Sequence, residues 1–159
     1  MSESIKIIVA THKKSEMPTD KMYLPLHVGA AGKFNSDGTP LDFGYVRDDT
    51  GENISDKNSN FGTQTGLFWA WKNLDAEYKG LVHYRRYFVS KKADKRDMIS
   101  SVITYDEMKP LLEQYKIFVP QKRRYYIETL YTHYAHTHDG EHFKLVRKII
   151  KKDCPEYLQ

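Results

Sequence analysis

The chain is 159 residues long, 40% hydrophobic and 29% charged, with 9 Gly and 6 Pro; that excludes a disordered or fibrous class and is enough chain for one domain with its own core. A net charge of +4 and a pI near 9.0 favour anionic partners: a nucleotide, a nucleic acid or an acidic membrane face. The single cysteine, Cys154, excludes an internal disulfide and fits a reducing compartment. No signal peptide is evident and no apolar run reaches membrane-spanning length, so the expected class is a soluble cytoplasmic domain.

Residues 5–10 (Ile5-Lys6-Ile7-Ile8-Val9-Ala10) are β-branched and short and read as a strand buried on both faces. They run into Thr11-His12-Lys13-Lys14, with no G-x-G-x-x-G or Walker pattern behind them. Residues 23–30 are apolar but interrupted by Pro25, which predicts a short edge strand or an extended loop. Residues 32–50 are dense in turn formers, and residues 48–58 form a polar loop. That loop is either a mobile surface segment or a ligand-contacting one. Its acids Asp48, Asp49, Glu52 and Asp56 are either solvated or a weak oxygen cage for a divalent ion.

Ser59 or Asn60 is placed to cap a helix from Phe61 to about Tyr78, with Leu67, Trp71, Leu74 and Tyr78 as its core stripe. Phe68 and Trp69 lie off that stripe, which predicts burial on more than one side. The small polar first turn, Gly62-Thr63-Gln64-Thr65, leaves backbone N–H groups free for an anion or hydroxyl.

Residues 78–88 organise the rest. Gly80-Leu81-Val82 reads as a buried central strand, and His83-Tyr84-Arg85-Arg86 reverses its character at once. In open α/β sheets ligands bind outside the carboxyl ends of the strands, and two adjacent guanidiniums suit a diphosphate. The competing reading is a solvated strand end whose arginines pair with nearby acids.

Residues 89–101 read as a charged surface loop carrying Lys91, Lys92, Asp94, Lys95, Arg96 and Asp97. Thr104 and Glu107 match a capping box, and Met108, Leu111, Leu112 and Tyr115 supply the helix's buried face. Pro110 predicts either a kinked first turn or a later start. Residues 116–120 read as another strand, emptying into Gln121-Lys122-Arg123-Arg124-Tyr125-Tyr126 as the third such basic exit. Strands separated by helices in this way predict an α/β fold. After a histidine-rich segment and the Asp139-Gly140 break, a last helix turns Phe143, Val146, Ile149 and Ile150 inward and Lys144, Arg147, Lys148 and Lys151 outward, and Pro155 ends it.

Several chemistries lack their signatures. His133, His136, His138 and His142 have no cysteine beside them and no H-E-x-x-H spacing, so cleft lining is favoured over a metal centre. Cys154, beside Pro155, has no evident activation, and no G-x-S-x-G elbow is present. Basic and aromatic residues interleave at 83–88 and 123–126 as in single-strand binders, but the charge is modest and set against 21 acids.

The sequence resembles a bacterial family of domains of unknown function from capsule, exopolysaccharide and lipopolysaccharide gene clusters, classed as glycosyltransferases. The matching pieces are Ile7-Ile8-Val9-Ala10-Thr11-His12-Lys13, Leu24-Pro25-Leu26-His27-Val28-Gly29-Ala30, Asp49-Thr50-Gly51-Glu52-Asn53-Ile54-Ser55, Thr65-Gly66-Leu67-Phe68-Trp69-Ala70-Trp71-Lys72-Asn73, Gly80-Leu81-Val82-His83-Tyr84-Arg85-Arg86-Tyr87-Phe88 and Tyr131-Thr132-His133-Tyr134-Ala135-His136. The resemblance implies one GT-A-like domain over residues 1–159, with a mainly parallel sheet flanked by helices. It also implies that this is the front portion of a longer family domain. The implied reaction moves a sugar from a nucleotide diphosphate donor, a UDP-sugar foremost and galactofuranose as one option, to a lipid-linked or oligosaccharide acceptor at the inner membrane face. On that reading His83, Arg85 and Arg86 are catalytic, with His83 as candidate base. Thr11, His12, Asp49, Asn53, Ser55, Gln64 and Tyr84 bind the donor; relatives often carry an acid where Gln64 stands. His133 and His136 face the acceptor, and no nucleic acid is bound. A divalent cation, manganese or magnesium, is an option for the cofactor, but no residue is assigned to it: the Asp-x-Asp motif that holds the metal in GT-A enzymes is absent, and His83-Tyr84-Arg85-Arg86 takes its place. The alternatives are a non-catalytic nucleotide- or nucleic-acid-binding module and a scaffold.

Overall fold

The computed structural model describes residues 4–91, 97–122 and 124–158. Lys92, Asp94, Lys95, Arg96 and Arg123, named above in the charged loop and the basic exit, lie outside the described residues. The chain forms two compact units, one ending at Phe118 and the other beginning at Val119.

The first unit is built on strand β1 (Ile5–Thr11), flanked by β2 (Tyr23–His27) and β4 (Tyr78–His83), with the two-residue β3 (Val46–Arg47) beyond β2. All pairings are parallel and the order is β3-β2-β1-β4. β1 obeys the strand period: Ile5, Ile7 and Val9 enter one core cluster, Ile8 and Ala10 the other. The first face is closed by α3 (Tyr105–Gln114) through Met108 and Leu112, with Val102 and Ile103. The opposite face is closed by α2 (Gln64–Asn73) through Trp69 and Ala70. Ile8 and Leu26 are fully buried, worth about 2 kcal/mol each. The parallel sheet flanked by helices is the α/β architecture expected from the sequence.

Several elements differ from their sequence-based expectations. The strand through residues 80–82 is not central: β1 and β2 hold the inner positions, and β4 pairs with a neighbouring strand on one side only among the described residues. Residues 23–27 are a paired strand. Pro25 is tolerated because β3 contacts only Leu26 and His27, leaving no partner on that flank at Pro25. The helix expected from residue 61 to 78 is two pieces, a short α1 (Asn58–Phe61) and α2, separated at Gly62, whose φ of 54° is open to glycine. The buried face of α2 is Thr65, Gly66, Trp69 and Ala70, whereas Leu67 and Trp71 of the expected stripe are exposed. Gly66 selects that face: a Cβ there would lie 2.9 Å from Val28 and 3.0 Å from Leu26. Trp69 is core, as expected, and its indole N–H donates to Thr50.

The loop at 48–58 is pinned rather than mobile, because Asn73 bonds the backbone of Glu52 and Trp69 holds Thr50. The capping box of α3 forms as read, and the helix starts at Tyr105 with Pro110 inside it. Residues 116–120 form no strand, so the third basic strand exit is lost; Ile117 and Val119 are 81% and 75% exposed. Beside β4 lies an apolar cavity of about 230 Å³, lined by Ile5, Ile7, Gly80, Met108, Leu112 and Phe118.

In the second unit, α4 (Leu130–Thr137) begins with a reciprocal Thr129–Thr132 cap and is followed by α5 (Glu141–Asp153). Tyr131 and Tyr134 of α4 lay their rings against Phe143 of α5 at 5.6 and 4.7 Å. The rest of the apolar face expected to be buried is largely uncovered: Val146 and Ile149 are about half exposed.

Candidate functional site

Because the strands are parallel, all four carboxyl ends share one edge. The chain steps outward from β1 to β2 and β3, then crosses back to set β4 on the other flank of β1. The change of direction falls between the ends of β1 and β4, the place where the crevice of an open α/β sheet binds its ligand.

The residues of that crevice are set by two turns. Thr11 is fully buried; its hydroxyl donates to the Lys13 carbonyl (2.6 Å) and accepts from the Lys13 N–H (3.2 Å), which turns His12 and Lys13 outward. At the end of β4 the Tyr84 N–H donates to the Ala10 carbonyl, and Arg86 and His83 exchange backbone hydrogen bonds of 2.7 and 3.2 Å. This tight turn buries Tyr84 and leaves Arg85 and Arg86 exposed. The Tyr84 ring then acts as a hub. His12 meets it edge-on at 5.6 Å and His83 lies at 4.4 Å. The Lys13 ammonium is 5.4 Å from its centroid and the Arg85 guanidinium 5.2 Å.

Among the described residues neither Arg85 nor Arg86 has an acidic partner, so the reading of arginines neutralised by neighbouring acids does not describe this edge. The His83 imidazole is held below its ordinary pKa, first by burial and then by Arg85, Arg86 and His12. Its Nδ1 accepts from the Arg85 N–H at 3.3 Å, which leaves the proton of the neutral ring on Nε2. His83 therefore presents a donor, and the base role expected for it does not fit this tautomer.

The β2–β3 half of the edge is different. Asp48 is fully buried and accepts from the Gly29 N–H (2.9 Å), the Ala30 N–H (3.0 Å), the Thr65 hydroxyl (2.7 Å) and the Ser55 hydroxyl. Ser55, also buried, accepts from the Ala31 N–H, so its hydroxyl shapes the loop. Asp49 is bound by the fork of Arg47 at 3.0 and 2.6 Å, and this holds its carboxyl below the usual carboxylate range. Arg47 also donates to the carbonyls of Leu41 and Ala30. Asn53 donates to the Gly51 carbonyl and accepts from the Ser55 N–H. Gln64, the first residue of α2, is exposed beside Thr65. No hydrogen bond, ion pair or ring contact among the described residues ties Asp49, Asn53, Ser55 or Gln64 to the Tyr84 hub.

Residues 6–159 match the family described as Domain of unknown function (DUF4422). The chain belongs to this family. The DUF4422 match runs across both compact units. Among solved structures the chain is similar to WbbM, a bifunctional glycosyltransferase in its apo form, at 26% identity with a TM-score of 0.76. The similarity covers 98% of this chain and 30% of that one, so the chain spans less than a third of WbbM's length. No curated protein sequence matches it significantly.

In the second unit His133 and His136 are brought together by Glu128, each imidazole Nδ1 lying 3.0 Å from one of its carboxylate oxygens, with Tyr125 against His133. Among the described residues no group of three or more His, Cys, Asp or Glu side chains is placed to hold a metal ion, and no helix is long and apolar enough to cross a membrane. The crevice donors do not fit a hard divalent cation, which seeks carboxylate or carbonyl oxygens; the charges acting on His83 are all cationic. Sequence reasoning missed Lys13 as part of the hub and Asp48 as its neighbouring strut. Adjacency to His12 signalled the first; nothing local signalled the second.

Proposed function

We propose that this domain is a GT-A-like glycosyltransferase spanning residues 1–159, which moves a sugar from a nucleotide diphosphate donor to a glycan acceptor in surface-polysaccharide assembly. The observation that carries the reading is the group of His12, Lys13, His83 and Arg85 around Tyr84, with Arg86 acting on His83, which has no acidic partner among the described residues and stands at the switch point of the sheet. The fold likeness to a glycosyltransferase and the family membership support it.

On this reading the donor diphosphate lies against Arg85 and Arg86, with the Nε2–H of His83 donating to a phosphate oxygen. An acceptor hydroxyl attacks the anomeric carbon, and the bond from that carbon to the phosphate oxygen breaks. The nucleoside diphosphate leaves with the electron pair, and the growing charge falls on the two guanidiniums, each such contact being worth about 3 kcal/mol. The hydroxyl proton passes to His12, an exposed imidazole facing the same hub. Tyr84 packs the turn and carries the cations. The donor extends along the edge toward Asp49, Asn53 and Gln64; β3 is three strand positions from β4, about 14 Å. Thr11 and Ser55 support this edge from beneath. We assign a UDP-sugar, galactofuranose included, as donor. The charge that a divalent metal neutralises in other enzymes of this kind is met by the arginines.

A thermal-shift panel of nucleotide sugars, with and without manganese, tests this. Uridine diphosphate sugars are expected to raise the melting temperature without the metal, and Arg85→Lys to lose the effect because the bidentate fork is gone. A domain indifferent to every nucleotide sugar, or one binding oligonucleotides with steep salt dependence, overturns it.

A further inference from the structure

The strongest feature outside the sheet edge is α5. At 3.6 residues per turn, Leu145, Ile149, Val146, Ile150 and Phe143 occupy one continuous arc of roughly 160°. Lys144, Arg147, Lys148, Lys151 and Lys152 fill the opposite arc, with Arg147 and Lys152 at its two borders with the apolar one. The acids of the helix stand at its ends, Glu141 in the first turn and Asp153 as the last residue, the latter within the apolar arc beside His142. Glu141 is paired with Lys144 at 2.6 Å, and His142 with the Tyr134 hydroxyl at 3.0 Å. Phe143 is covered in part by Tyr131 and Tyr134, but Leu145, Val146 and Ile149 are 57%, 50% and 49% exposed.

A helix with a sharp apolar stripe, low net hydrophobicity and a polar face made almost wholly of Lys and Arg suits an interface with apolar depth and negative charge together. We infer that α5 docks on an anionic bilayer surface. Leu145, Val146 and Ile149 enter the headgroup–acyl boundary, and Arg147 and Lys152 reach lipid phosphates from its borders while their stems cover apolar surface. A second protein copy would meet the apolar stripe equally well but gives no reason for five cations on one short helix. This inference stands on α5 and is independent of the diphosphate seat.

Cys154, exposed directly after α5, provides the probe. The full chain, labelled there with an environment-sensitive fluorophore, is titrated with vesicles of phosphatidylcholine plus phosphatidylglycerol and with phosphatidylcholine alone. A blue shift and co-flotation confined to the anionic vesicles and weakened by salt are expected. Lys148→Glu with Lys151→Glu should weaken partitioning about tenfold or more, and Val146→Ser with Ile149→Ser should abolish the blue shift while the melting temperature holds. Equal behaviour on both vesicles, or no effect of either double variant, overturns the inference. So does a self-association that Val146→Ser with Ile149→Ser removes while vesicles leave it untouched, since a second copy then covers the face.

Discussion

The two halves of the carboxyl edge both carry ionisable side chains and treat them oppositely. On the β2–β3 side the three charges at the strand ends are answered within the chain: Asp48 by four donors, Asp49 by the Arg47 fork, and Arg47 further by two carbonyls. On the β1–β4 side His12, Lys13 and Arg85 gather around one buried ring, Arg86 acts on His83 beside them, and no carboxylate answers these groups among the described residues. The first half is a strut that fixes loop geometry. The second holds repelling charges together, which is tolerable in a fold whose strut is rigid and useful where an anion will bind. Partner count, more than residue type, separates scaffold from site.

The largest effect that tests this contrast belongs to the strut. Asp48→Ala leaves two backbone N–H groups and two hydroxyls without their acceptor and is expected to cost about 4 kcal/mol, read as a fall in the urea midpoint. A loss below about 1 kcal/mol would mean that the loops at 29–31 and 48–55 do not depend on it. Next comes the hub: Tyr84→Ala should cost about 3 kcal/mol, whereas Tyr84→Phe keeps the ring contacts and should stay within about 1 kcal/mol. Equal losses in the two would shift the role of Tyr84 from its ring to its hydroxyl.

The smallest effect is one of pH. His27 and His83 both sit below the ordinary imidazole value of 6.5, each chiefly through burial, with Arg47 acting on the first and Arg85 and Arg86 on the second. As pH falls through about 6.5 the unfolded chain binds protons that the folded chain refuses, so stability is full above that value and declines below it. Thermal melts between about pH 7.5 and about pH 5.5, above the carboxylate range, should show that gentle decline. A flat profile would contradict the burial of these two rings.

Much of this was legible in the sequence because local patterns decided it. The two-face burial of β1 shows in its apolar run Ile7-Ile8-Val9-Ala10, the start of α3 in Thr104 and Glu107, and the exposed arginines in the abrupt change after Val82. The face of α2 was not legible, since Leu67-Phe68-Trp69-Ala70-Trp71 is apolar all the way round and gives no direction. Close approach at Gly66 and the bond from Thr65 to Asp48 chose it, both contacts from distant segments. Asp48 looked like any loop acid, because its partners lie as far as 19 residues away. Residues 116–120 have strand chemistry without a strand partner among the described residues, so propensity alone misled. The face of α5 followed its period, but periodicity says which side is apolar and not what covers it.

The most direct measurement is calorimetric titration of uridine diphosphate and of uridine into the parent chain and into Arg85→Ala with Arg86→Ala. The account predicts that the diphosphate binds the parent chain, that the double variant loses at least about thirtyfold in that affinity, that uridine alone is little affected, and that the melting temperature is unchanged. Undiminished diphosphate affinity in a folded double variant would contradict it, since the anion would then be held somewhere other than the end of β4.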